Sequence, residues 1–80
     1  MKISNNQRKL LIDILKKRDH ELICNRIIQN LLLGDPEITE ILLILADEFL
    51  ETGLKENDEP NERGIEIEDL IDVMNNSREA

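Results

Sequence analysis

Eighty residues make one small domain, and a chain of this length buries only about 60% of the surface it exposes when unfolded, so it gains from added support. A lone cysteine excludes a disulfide framework, and Phe49 as the only aromatic leaves no platform on which single-stranded nucleic acid could stack. The net charge of −8 divides into a basic arm, with seven Lys/Arg against three acids over residues 1–34, and an acidic arm, with fifteen acids against three cations over residues 35–80; that balance opposes duplex DNA as a ligand.

In chain order, the first signal is Ser4 with Gln7 three residues on, the form of a capping box, which predicts a helix from about Asn5. Leu10, Leu11, Ile14 and Leu15 give it one apolar face, and Cys24, Ile27, Ile28, Leu31 and Leu32 resume the same spacing after a polar interval at Lys16–Glu21. No Gly or Pro marks that interval, so a single helix over about 5–33 is the preferred reading. The rival is a break with Asp19 capping a second helix.

Leu33-Gly34-Asp35-Pro36 is the strongest local signal. Glycine closes one helix in the left-handed conformation, aspartate caps the next, and proline at its first position loses no hydrogen bond. A connection this short predicts an antiparallel hairpin of about 5–33 and 36–52. The second helix carries Ile38, Ile41 or Leu42, Leu45 and Phe49 on one side and Leu43, Ala46 and Leu50 on an adjacent one, with Ile44 widening the apolar surface further, more than one partner helix can cover. Gly53 should close it. Residues 55–64 have the composition of a solvated loop, and Ile67, Leu70, Ile71 and Met74 predict a short helix over about 66–75, with a frayed tail at 76–80. The fold class expected is all-α, a single domain over 1–80, completed into a bundle by homodimerisation through Leu31, Ile38, Leu42, Leu43, Leu45, Phe49 and Leu50.

Few residues could carry chemistry. The acidic loop fails as a calcium hand, because a start at Asp58 puts Pro60 at the third position and a start at Glu59 puts Leu70 at the twelfth. His20 has no second histidine or nucleophile beside it and reads as a surface side chain, and Cys24 lies in an Ile/Leu stripe as a small hydrophobe. No catalytic, cofactor or metal residue is expected, and no enzyme activity. Arg8, Lys9, Lys16, Lys17 and Arg18 should pair with acids of the other arm, or with those of a second subunit, and not with nucleic acid.

The feature left to carry function is the acidic half: Asp47, Glu48, Glu51, Glu56, Asp58, Glu59, Glu62, Glu66, Glu68, Asp69 and Asp72. Carboxylates spaced along a rigid helix can imitate a row of phosphates and speed association with a basic surface. The expected function is a small acidic regulator or inhibitor that docks this half on a basic protein partner, such as a nucleic-acid-binding groove. The alternative is a structural or assembly adaptor that binds through its apolar helical stripes. In length, charge and hairpin pattern the chain resembles the small acidic helical proteins of bacteriophages and other mobile elements, a likeness of general style that implies inhibition or regulation of a host protein. Met1–Asn6 has no apolar leader and the longest apolar run, Ile41–Ala46, is far too short for a membrane span, so the cytoplasm is the expected location.

Overall fold

The computed structural model describes residues 3–29 and 33–79, which form four helices: α1 (Asn5–Lys17), α2 (Glu21–Ile28), α3 (Asp35–Thr52) and α4 (Glu62–Glu79). The fold is all-α. α1 opens on the expected capping box: the Ser4 hydroxyl accepts from the Gln7 amide at 3.1 Å, and the Ser4 amide donates to Gln7 Oε1 at 2.9 Å.

The single helix over 5–33 does not form. α1 ends at Lys17 in a closed cap, in which the Asp19 amide donates to the Lys16 carbonyl at 3.2 Å and the His20 amide to the Leu15 carbonyl at 2.9 Å. That pair of bonds needs a left-handed residue between them, and Asp19 supplies it with φ 61°. Aspartate tolerates the conformation better than most residues, which is how the chain breaks without Gly or Pro. Nor does Asp19 cap α2; His20 precedes that helix and gives no side-chain cap bond. Because Asp19 is exposed, Asp19→Gly is expected to stabilise the protein by up to about 1 kcal/mol, seen as a rise in the thermal midpoint.

The turn into α3 also differs in detail. Gly34 itself is the N-cap, with φ −82° and ψ 171°, so Asp35 and Pro36 occupy the first two helical positions and no side chain caps the helix. Proline costs nothing there, because the first four amides of a helix have no internal acceptor. Ion pairs tie the arms together, Lys17 and Arg18 to Glu48 at 3.0 Å each and Arg26 to Glu37 at 3.5 Å, and His20 Nδ1 lies 3.6 Å from the Glu40 carboxylate. The contacts step down α3 from Glu48 to Glu40 to Glu37 as the chain runs from the end of α1 through α2, so α2 is antiparallel to α3, while α1 and α2 fold back on each other with Arg8 at the end of α2.

α3 shares its most extensive packing with α4. Between them the chain makes a single antiparallel bridge, Leu54 with Pro60, and α4 starts earlier than the apolar spacing indicated, at Glu62 instead of 66. Asn61 is the reason. Its Oδ1 accepts from the Gly64 amide at 2.7 Å while its Nδ2 donates to the Thr52 carbonyl at 3.0 Å, so one side chain caps α4 and ties it to the end of α3. The helix also runs past 75 through Glu79, so residues 76–79 belong to it and not to a tail. The solvated stretch is correspondingly shorter than 55–64.

The core gathers Leu11, Ile14 and Leu15 of α1, Ile23, Cys24 and Ile27 of α2, Ile38, Ile41, Ile44 and Leu45 of α3, and Ile67, Leu70 and Met74 of α4. Burial of each large aliphatic side chain contributes about 1.5 to 3 kcal/mol. Arg8 adds a polar tie by donating to the carbonyls of Ile27 and Ile28 at 3.1 and 2.8 Å, which satisfies the open end of α2 and places a cation at its negative pole.

Candidate functional site

The acids of the second arm meet two different fates, and helix register decides which. Ile41, Ile44, Leu45 and Glu48 are spaced i, i+3, i+4 and i+7, so Glu48 lies on the inner stripe of α3 and is fully buried. Burial would push its carboxyl up. Hydrogen bonds from Lys17 (3.0 Å), Arg18 (3.0 Å), Arg63 (3.2 Å) and the Thr52 hydroxyl (3.0 Å) outweigh that and hold it down at about 2. Glu48 therefore joins α1, α3 and α4 in one buried charged cluster and is not part of a docking face. Its carboxylate in turn raises the Arg18 guanidinium, chiefly through their hydrogen bond. Glu51, though exposed, is held by Arg18 at 2.7 Å.

Among the described residues Asp47 and the acids of the loop and of α4 have no such ties. Among the described residues the ion pairs of Lys and Arg run to Glu37, Glu48 and Glu51, with His20 beside Glu40, all on α3, and none reaches Asp47, Asp58, Glu59, Glu62, Glu66, Glu68, Asp69 or Asp72, which are all exposed, as is Glu56. Glu62, Glu66, Asp69 and Asp72 follow at i, i+4, i+7 and i+10 along the outer face of α4, a row of about 15 Å. Ile65, 52% exposed, stands among them. Glu66 and Asp69 also border a cavity of 330 Å³ formed with Ser4, Asn6, Gln7 and Leu10 of the first arm. Asp58 sits in the left-handed region at φ 64° at the loop tip.

The apolar stripe splits as well. Ile38 and Leu45 are buried, Leu42 and Phe49 lie partly buried against the core, and Leu43 and Leu50 are 65% and 68% exposed; Leu31 lies outside the described residues. Sequence spacing had left Ile44 as extra outer surface, yet it is buried, so α3 carries its core on one stripe and its open apolar strip on the opposite side. Leu22 of α2, 83% exposed, is separate and borders a second cavity of 270 Å³ with Asp19, His20, Glu21, Ile23 and Glu40. Of the basic cluster, Lys17 and Arg18 pair with acids of α3 as expected, Arg8 instead holds backbone carbonyls of its own arm, and Lys9 and Lys16 are exposed. Among the described residues no group of three or more His, Cys, Asp or Glu could hold a metal ion, and no helix is long and apolar enough to cross a membrane.

Fold and surfaces together define a small all-α protein of four helices, clamped by a buried glutamate, with an open acidic row on α4 and an open apolar strip on α3. No family model matches the sequence, and no curated protein or solved structure matches it.

Proposed function

We propose that this chain is a small acidic protein-binding regulator or inhibitor, which docks the outer face of α4 and the loop before it on a basic partner surface, such as a nucleic-acid-binding groove. One observation carries the reading: the fold neutralises acids of α3 internally with Lys17, Arg18, Arg26 and Arg63, while among the described residues the acids of α4 and the loop have no cation partner, and those of α4 lie in a row on a rigid helix. Uncompensated like charge costs stability and persists most usefully where a partner supplies the opposite sign. A rim of this kind acts mainly on association rate.

The test is capture of the partner from host extract with the tagged protein, followed by binding kinetics of the purified pair. Reversing Glu66, Asp69 and Asp72 to lysine is expected to slow association about 10- to 100-fold at low salt and to remove most of its salt dependence. If the triple reversal leaves association untouched while polar residues at Leu43 and Leu50 abolish it, the protein is an adaptor working through its apolar strip and the electrostatic reading is lost.

A further inference from the structure

Leu43, Ala46 and Leu50 are spaced i, i+3 and i+7 and all three are exposed, so they form one strip along the outer side of α3, opposite the buried Ile41, Ile44, Leu45 and Glu48. With Thr39 one turn earlier the strip covers about three turns, roughly 16 Å. The spacing is that of a helix-packing seam, with small Ala46 at the middle where another backbone can come close. Single exposed leucines are ordinary, but two in register on one helix face, each about two-thirds exposed, form a patch that invites a partner.

The charge around the strip says what kind of partner. Asp47 is i+4 from Leu43 and i−3 from Leu50 and is exposed with no ion pair among the described residues, the exposed Glu40 is i−3 from Leu43, and α3 from Asp35 to Thr52 contains no Lys or Arg. A second copy is a poor occupant: across a two-fold axis the same surface meets itself, so the acidic border would face an acidic border with no cation from α3 to answer it. We propose that the α3 strip is a docking groove for an amphipathic helix of another protein, about three turns long, whose apolar stripe covers Leu43, Ala46 and Leu50 and whose flanking Lys or Arg meet Asp47 and its neighbours. The inference rests on the reading above only for the sign of the partner's charge; the surface is a different one. Leucine anchors set the off-rate and the acidic border sets orientation and sign.

The probe is an idealised helical peptide of leucine and lysine, with its leucine–glutamate counterpart as control, titrated against the whole protein by calorimetry. The lysine peptide is expected to bind with a 1:1 ratio and to weaken with added salt, and the glutamate peptide not to bind. Leu43→Gln with Leu50→Gln should weaken binding about 30-fold, because two leucines lose the burial they would gain. Both positions are exposed, so the variant should keep its helical circular dichroism and melting temperature. Reversal of Glu66, Asp69 and Asp72 should change the affinity by less than about threefold, since these acids lie on another helix. Affinity lost in the α4 variant but kept in the Leu43/Leu50 variant overturns the groove and leaves the α4 reading standing. Binding of the glutamate peptide, binding of neither peptide, or a dimer that the Leu43/Leu50 substitutions dissolve overturns it too.

Discussion

Glu48→Ala is expected to lower the free energy of unfolding by about 3 kcal/mol, measured as a drop in the urea midpoint at unchanged slope. Removing one member of a buried charged cluster leaves the others unpaired, a loss that runs to about 5 kcal/mol when they cannot reach water. Here Lys17, Arg18 and Arg63 keep 48%, 22% and 40% of their side-chain exposure, so they can turn outward, which places the effect at the lower end. Against a total of about 4 to 12 kcal/mol for a domain of this size, even that brings the protein near its limit. Arg18→Ala should cost less, about 1 to 2 kcal/mol, because Lys17 and Arg63 still reach the carboxylate. The same cluster sets a pH dependence. The carboxyl is held at about 2 in the fold against an ordinary 4.5, so on acidification the unfolded chain takes up the proton first. Its contribution, on the order of 3 kcal/mol, is complete above about pH 5 and is lost as the pH falls from there toward 2. Glu48→Gln should flatten that part of the stability curve.

Glu48 also shows what the sequence could and could not convey. Taken as one of a long list of acids, it reads as solvated; placed on the register of Ile41, Ile44 and Leu45, it falls on the core stripe, and the missing apolar residue near position 18 of the first arm is its counterpart. Each anomaly alone resembles surface. Only together do they indicate a buried ion cluster. The hairpin and the all-α class were legible because Gly34-Asp35-Pro36 and the Ile/Leu spacing are local signals. The break at Asp19 was not, since a left-handed aspartate carries no composition signal. The start of α4 was hidden because Asn61-Glu62-Arg63-Gly64 has the composition of a turn, and its capping bonds depend on the end of α3 being alongside. The exposed character of Leu43 and Leu50 followed from counting two stripes on one helix, whereas the absence of partners for the α4 acids among the described residues needed the packed structure.

Gly64→Ala is expected to destabilise the protein by about 2 to 3 kcal/mol, the reverse of what helix propensity alone would give. In an isolated helix the exchange would gain about 1 kcal/mol. Gly64, however, is buried in the first turn of α4 where that helix crosses the end of α3, and a Cβ there would run into the Gly53 backbone carbonyl. That carbonyl cannot simply move aside, because it accepts from the Asn61 amide at 2.9 Å and so belongs to the capping arrangement that starts α4. Gly53 is pinned from its own side: a Cβ on it would lie 2.7 Å from the Phe49 carbonyl and 3.0 Å from Gly64 Cα, so Gly53→Ala should cost a comparable amount. Gly34→Ala is the control. Its nearest obstacle is the end of the flexible Glu37 side chain and its φ is negative, so it should change stability by less than about 1 kcal/mol. The glycine pair matters for function because it sets how closely α4 lies on α3, and therefore where the outer acids of α4 stand relative to the strip on α3. A Gly64→Ala protein more stable than the parent would mean that the two helices do not cross on these glycines, and the placement of both surfaces would have to be redrawn.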